Sequence, residues 1–263
     1  MKIGLIGCGN MATGMIRGIL ASGQADPADL AASARTEATR KRIREELGIT
    51  CADNETIAAS SDLLILAVKP QVLGEVIAQI RTCVKDTAVL VSIAPGKSLL
   101  WLKEQLQREL KIIRAMPNTP ALVQEGMTAV CPNELVSDEE LSSVLKLFQS
   151  FGSARRVPEK LLDAVTAVSG SSPAYVFLFI EAMADGAVAL GMPRDMAYQF
   201  AAQTVLGSAK MVLETGMHPG QLKDMVCSPG GTTIEAVRIL EKGGLRSSVI
   251  EAELACARKA GGM

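Results

Sequence analysis

Two short stretches of this chain have the make-up of an anion grip. Gly7, Gly9 and Ala12 stand in the spacing G-x-G-x-x-A within IGLIGCGNMA, and Ser228-Pro-Gly-Gly-Thr-Thr233 runs straight into an amphipathic pattern in VCSPGGTTIEAVRIL. A glycine-rich turn that opens a helix presents unpaired backbone N–H groups, and the positive end of the helix dipole adds to their pull on a negative group. The first turn lies directly behind an apolar run. In that setting Gly7 permits the tight turn, Gly9 lets the backbone approach a pyrophosphate, and Ala12 lets the helix pack closely on the strand. This predicts a dinucleotide site built on Ile6, Gly7, Cys8, Gly9, Asn10 and Met11. The second turn has no strand before it, so a small carboxylate suits it better than another pyrophosphate. Backbone N–H groups around Gly230, Gly231 and Thr232 would hold that carboxylate. Thr232 and Thr233 each carry a hydroxyl that can meet a ligand or cap the helix.

Other residues follow from the crevice that an open α/β sheet forms at the carboxyl ends of its strands. The second strand runs into AASARTEATRKR, with Ser33, Arg35 and Thr36 and no acid before Glu37. NAD sites place an Asp or Glu at this point to bind the ribose 2′-hydroxyl. A hydroxyl and a guanidinium suit a 2′-phosphate instead, so the expected cofactor is NADPH, with NADH as the alternative. LLILAVKPQ and VSIAPG end later strands and bring Ala67, Val68, Lys69, Pro70 and Ala94 to the trough. RAMPNTPA fixes a rigid loop with two prolines, from which Asn118 is expected to reach the nicotinamide side. Asn54 completes the candidate cofactor set. His218, the single histidine, sits in GMHPG before a helix and reads as a turn residue rather than a catalytic base. No ligand spacing suggests a metal.

These residues need a scaffold, and the pattern supplies one in two textures. As far as Val157, short β-branched runs (Lys2–Ile6, Leu30–Ala34, Leu63–Val68, Ala88–Ile93, Lys111–Ala115, Met127–Cys131 and Ala154–Val157) alternate with helical patterns such as Ala12–Ser22, Thr36–Leu47, Gln71–Ile80 and Leu99–Leu110. Alternation of this kind implies a mostly parallel sheet covered by helices. Beyond Val157 every segment has helical period: Leu161–Val168, Pro173–Leu190, Arg194–Thr215, Pro219–Val226, Thr232–Glu241 and Arg246–Ala260. The expected fold is α/β: a Rossmann-like NADP-binding domain over residues 1–155 and an all-helical dimerisation and substrate-binding domain over 156–263.

Composition removes several function classes. A net charge of −1 with 3% aromatics argues against nucleic acid, which requires phosphate neutralisation and stacking rings. Apolar runs are interrupted by charges or prolines, so no membrane span is expected. The chain enters a strand at Lys2 with no signal segment, and its six cysteines are scattered, so reduced thiols in a cytoplasmic protein are expected. The helical half is rich in Ala, Met and Val, more apolar surface than a lone domain can bury, which predicts a homodimer or a larger oligomer built from dimers.

Taken in order, IGCGNMA, AVKP, MPNTPA, SGSSPAY, HPGQLKD and SPGGTTIEAV resemble the pyrroline-5-carboxylate reductases, over about Lys2 to Ala257. The resemblance implies reduction of L-1-pyrroline-5-carboxylate to L-proline, the last step of proline biosynthesis, by NADPH or NADH. It also implies that the turn of Ser228, Gly230, Gly231 and Thr232 grips the substrate carboxylate while Thr233 contacts the ring nitrogen. Two positions depart from the family. Ser171-Ser172 stand where Ser-Gly is frequent, and Met225 stands where some members carry a polar residue. A β-hydroxyacid dehydrogenase shares the two-domain plan but needs a Lys and an Asn on the first long helix of its second domain. This chain has no lysine between Lys160 and Lys210 and no asparagine after Asn133. A non-catalytic dinucleotide sensor would have no use for the Gly-Gly-Thr-Thr turn.

Overall fold

The computed structural model describes residues 1–261. The sheet half begins with β1 (Ile3–Ile6), α1 (Asn10–Ala21), β2 (Leu30–Ser33), α2 (Glu37–Glu45), β3 (Thr50–Cys51) and α3 (Asn54–Ser60). It continues through β4 (Leu63–Leu66), α4 (Leu73–Ile80), β5 (Val89–Ser92), α5 (Leu99–Leu106), β6 (Lys111–Met116), β7 (Gly126–Pro132), α6 (Asp138–Phe148), β8 (Gly152–Arg156) and the short α7 (Leu162–Val165). The helical remainder is α8 (Ser172–Ala189), α9 (Arg194–Thr215), α10 (Pro219–Val226), α11 (Thr232–Lys242) and α12 (Leu245–Ala260). Among the described residues no strand follows β8, as the sequence pattern implies.

The strands form one sheet in the order β3-β2-β1-β4-β5-β6-β7-β8. All neighbours are parallel except β6 and β7. Between those two strands the chain makes only a short turn at Thr119–Val123, with no crossover helix, so β7 returns antiparallel. Strands β1, β4 and β5 are buried along their whole length because helices cover both faces. Ile16, Ile19, Ile43, Val144 and Phe148 pack on one face, and Ile57, Ile77, Leu102 and Leu106 on the other.

Register then places the site. Ile6 pairs with Ser33 on one side and Leu66 on the other, and Leu66 pairs with Ser92. The carboxyl ends of four strands therefore stand level, and the residues just beyond them share one crevice. Strand order reverses at β1, between β2 and β4, which is where a doubly wound sheet opens to a ligand.

The chain divides into two compact units. The first holds residues 1–171 and the described residues from Cys256 onward, and the second holds Ser172–Ala255. This division by compactness falls later than the functional boundary expected at residue 155. The reason is that Leu162 is buried against Ala129 and Cys131 of β7, while Ser169 offers its carbonyl to Asn118. Cys256 also donates its thiol to Ser171 Oγ (3.1 Å).

In the second unit α8 packs on α9, and the buried residues of the pair are small: Ala184, Ala197 and Ala201. Phe177, Leu178, Phe200 and Leu213 are 60–83% exposed in the single chain. One expectation is corrected here. Helix continues from Glu159 to Ala189, long and apolar enough by length and composition to cross a membrane, and most of its apolar stretch is not buried within the single chain. The sequence pattern reads here as two helices, Leu161–Val168 and Pro173–Leu190, with Pro173 starting the second. Instead a π-turn over Thr166–Ser171 carries the helix past the proline, whose missing N–H would break a regular α ladder.

Candidate active site

The β1–α1 turn is shaped by two glycines with different duties. Gly7 has φ +92°, and a Cβ there would lie 2.8 Å from the backbone oxygen of Ala67. Only glycine fits this position. Gly9 is the N-cap of α1, in an extended conformation and with no side-chain cap. A Cβ on Gly9 would meet nothing within 4 Å. The space a side chain would fill lies open above the first turn of α1. The N–H groups of Asn10, Met11 and Ala12 have no partner in that helix, since its first internal bond runs from Thr13 N–H to Gly9 O (2.9 Å). The cradle fits the pyrophosphate of a dinucleotide. Arg42 Nη2 donates to the Cys8 carbonyl (2.6 Å), an anchor from α2 that the sequence did not reveal, because α2 reads as an ordinary charged face. Burial pushes the Cys8 thiol up, only partly offset by its hydrogen bond with Thr13 and by Arg42. It is a packing residue rather than a nucleophile.

The adenosine side is less free than the sequence suggests. Ser33 is buried, accepts the Gly7 N–H (3.3 Å) and donates to Asn54 Oδ1 (2.6 Å). Thr36 caps α2 by accepting from Thr39 N–H (3.3 Å). Of the hydroxyl-plus-guanidinium set expected to meet a 2′-phosphate, Thr36 is thus employed by its own helix. Arg35 is exposed and no acidic residue stands beside it before Glu37.

Across the crevice, Ala67 bonds through its N–H to Ile6 O (2.8 Å), which holds Ala67, Val68, Lys69 and Pro70 beside the β1–α1 turn. Lys69 is exposed and Ala94 is buried. Asn118 has a bracing role that its sequence setting does not disclose. Its Oδ1 accepts from Met127 N–H (2.8 Å) and its Nδ2 donates to Ser169 O (3.0 Å). The carboxamide braces the Pro117–Glu125 loop, so what it offers a ligand is one remaining N–H.

The second turn, in the helical unit, closes with Gly231 N–H donating to Ser228 O (3.0 Å) and with Gly230 at φ +68°. A Cβ on Gly231 would lie 2.4 Å from Ser228 Oγ. Gly231 is itself the N-cap of α11, and no side chain caps the helix. Thr232 and Thr233 are its first two residues, so neither is the cap. The N–H groups of Thr232, Thr233 and Ile234 have no partner in the helix. Thr233 is half-buried, and its hydroxyl makes no hydrogen bond among the described residues. Two oriented N–H groups beside a free hydroxyl can bind a carboxylate and, next to it, a nitrogen. His218 behaves as its sequence setting suggests: its Nδ1 accepts from Gly220 N–H (3.0 Å) and caps α10. Met225, just before the turn, is 67% exposed.

Comparison with known proteins identifies the family of the chain. A family described as pyrroline-5-carboxylate reductase dimerisation matches residues 159–263. Another, described as NADP oxidoreductase, coenzyme F420-dependent, matches residues 2–96. The chain is 52% identical over 259 residues to the pyrroline-5-carboxylate reductase of Escherichia coli (strain K12), covering 98% of this chain and 96% of that one. It superposes with a TM-score of 0.91 on a pyrroline-5-carboxylate reductase from Coxiella burnetii, at 35% identity, covering 98% and 97% of the two chains. It matches the Plasmodium falciparum pyrroline carboxylate reductase with NADP bound equally well, with a TM-score of 0.91 at 32% identity over 100% and 97% of the chains.

Proposed function

The chain belongs to the pyrroline-5-carboxylate reductase family, and from that premise we propose how its own residues divide the reaction. The enzyme reduces L-1-pyrroline-5-carboxylate to L-proline with NADPH, the final step of proline biosynthesis. The bound dinucleotide supplies a hydride to the imine carbon. The C=N π electrons move onto nitrogen, which already carries its proton when the imine is protonated. The protein therefore has little acid–base work to do and contributes mainly orientation and charge.

In this reading residues 1–155 hold the cofactor. The N–H groups of Gly9, Asn10 and Met11 take the pyrophosphate, with Ile6, Gly7 and Cys8 shaping the turn. Arg35, Ser33 and Asn54 face the adenosine, and Ala67, Val68, Lys69, Pro70 and Ala94 line the trough. Asn118 braces the loop on the nicotinamide side with one N–H to spare. Residues 156–263 bind substrate and form the dimer. Ser228, Gly230, Gly231 and Thr232 hold the carboxylate, and Thr233 bonds the ring nitrogen as its charge changes. The observation that carries this division is the uncapped start of α11. Gly231 takes the cap position and leaves the Thr233 hydroxyl without a partner.

The exposed apolar faces of α8 and α9 support a homodimer, since faces of this size are buried in stable proteins. The same burial accounts for the apolar 159–189 helix without a membrane. We place the enzyme in the cytoplasm, where its six free thiols stay reduced. The direct test follows NADPH and NADH absorbance with pyrroline-5-carboxylate as substrate. Rapid oxidation with proline as product is the expected result. Tight NADPH binding with no turnover of any cyclic imine would instead favour a dinucleotide sensor.

A further inference from the structure

Ser33 belongs to a chain of side chains that extends well beyond the cofactor crevice. Its oxygen accepts the Gly7 N–H (3.3 Å) and its proton goes to Asn54 Oδ1 (2.6 Å). Asn54 Nδ2 donates to Gln79 Oε1 (2.8 Å), and Gln79 Nε2 donates to Glu55 Oε1 (2.6 Å). The residues come from β2, the start of α3, and α4.

The two ends of this relay are not interchangeable. A backbone N–H can only donate, and an ionised carboxylate can only accept. With Gly7 at one end and Glu55 at the other, all the links are kept together in one direction only, with Gln79 at the solvent-exposed outer end. If Asn54 turned its amide over, its oxygen would face the oxygen of Gln79. If Gln79 turned as well, its oxygen would face the Glu55 carboxylate. The proton of Ser33 is thereby committed to Asn54, and a lone pair is all that Ser33 can offer a ligand.

This matters because Ser33 ends β2, the position from which such folds contact the 2′ substituent of the adenosine ribose. A 2′-hydroxyl can donate to a lone pair. A 2′-phosphate carries oxygens that only accept, and it needs a donor. We propose that Glu55, acting through Gln79 and Asn54, fixes the direction in which Ser33 hydrogen-bonds and so sets how strongly the site prefers a 2′-phosphate over a 2′-hydroxyl. Glu55 and Gln79 are positioning residues in this scheme. They hold back a hydroxyl that would otherwise help bind NADPH, and they leave the 2′-phosphate to Arg35. The inference rests on the adenosine side of the cofactor lying at β2. If NADPH and 2′,5′-ADP do not bind at all, that placement fails, which is distinct from a failure of the relay.

The test uses the full-length enzyme and titrates NADPH, NADH, 2′,5′-ADP and 5′-AMP calorimetrically, so the readout is binding and not turnover. Two variants separate direction from charge. Glu55→Gln keeps a hydrogen-bonding side chain that can donate or accept, and it removes the negative charge. Gln79→Leu keeps the charge and cuts the relay. Both free Asn54 to turn over and Ser33 to donate. Each is expected to bind NADPH about threefold or more tightly relative to NADH, with the same shift in 2′,5′-ADP relative to 5′-AMP, and the shift should vanish when Ser33→Ala is added. Structural damage would weaken all four ligands instead of strengthening two. An unchanged ratio in both variants overturns the proposal. A shift in Glu55→Gln alone also overturns it, because charge would then be sufficient, and so does a shift that survives Ser33→Ala.

Discussion

The two glycines of the β1–α1 turn can be separated by experiment, because the structure gives them opposite liabilities. At Gly7 an alanine must adopt φ +92° and bring its methyl within 2.8 Å of the Ala67 backbone oxygen, which has no flexible side chain to yield. Positive φ at a residue other than glycine costs about 1–3 kcal/mol before the contact is counted. A kcal/mol shifts the melting temperature of a domain this size by roughly 2–4 °C, so the strain alone should lower the melting point of Gly7→Ala by about 2–12 °C, and the contact lowers it further. At Gly9 the backbone is already extended and a methyl meets nothing within 4 Å. The weaker N-cap costs up to about 1 kcal/mol, against a gain of about 0.4–1 kcal/mol from a stiffer unfolded chain. The melting temperature should therefore stay within about 3 °C of the parent. The Gly9 methyl does, however, occupy the approach to the N–H groups of Asn10 and Met11. Loss of one charge-assisted contact there, about 1.5–3 kcal/mol, weakens NADPH roughly tenfold to a hundredfold. Thermal melting without cofactor and fluorescence titration with NADPH measure the two effects separately. The reasoning is refuted if Gly9→Ala binds NADPH like the parent, or if it melts as low as Gly7→Ala.

Three further outcomes follow from particular residues. Arg35→Ala should weaken NADPH by about tenfold or more while leaving NADH nearly unchanged, since one charge-assisted phosphate contact is lost; equal kinetics with both cofactors before and after the change would remove Arg35 from the site. Thr233→Val should lower the turnover number about tenfold, a loss of about 1.4 kcal/mol of transition-state stabilisation, with NADPH affinity and melting temperature preserved because Thr233 does not cap α11; a large drop in melting temperature with normal turnover would return it to a structural role. Phe177→Lys should shift the protein towards monomer in sedimentation or size-exclusion experiments, because this ring is 60% exposed in the single chain and a charge there opposes burial; an unchanged dimer would place the interface on another face.

What the sequence could disclose was set by how local each signal is. The bounds of α9 and α10 were legible because Pro193 and Pro219 open them and Gly216 stops α9, and these residues act on their own backbone. The β1–α1 turn was legible for the same reason. Strand β3 is two residues long, too short to show a period. The helix that passes Pro173 depends on a π-turn whose cause does not lie in the proline itself. The relay from Ser33 to Glu55 needs Gln79, which lies on another helix and reads alone as a surface residue. The bracing role of Asn118 was hidden for the same reason, since Met127 and Ser169 claim its amide only once the sheet has formed.

The case of Thr233 shows how the two kinds of information combine. Threonine after a Gly-Gly turn can cap a helix or bind a ligand, and its side chain is suited to both, so composition cannot decide between them. Backbone geometry removes the capping role. Gly230 at φ +68° completes the turn, Gly231 N–H closes it onto Ser228, and the helix then starts at Thr232 with Gly231 in the cap position. A glycine has no side chain with which to cap, so this helix start keeps its N–H groups unpaired at the cost of some stability. A small carboxylate would repay that cost on binding, with the free hydroxyl of Thr233 held beside it. A helix built only for stability would carry Ser or Asp where this one carries Gly231.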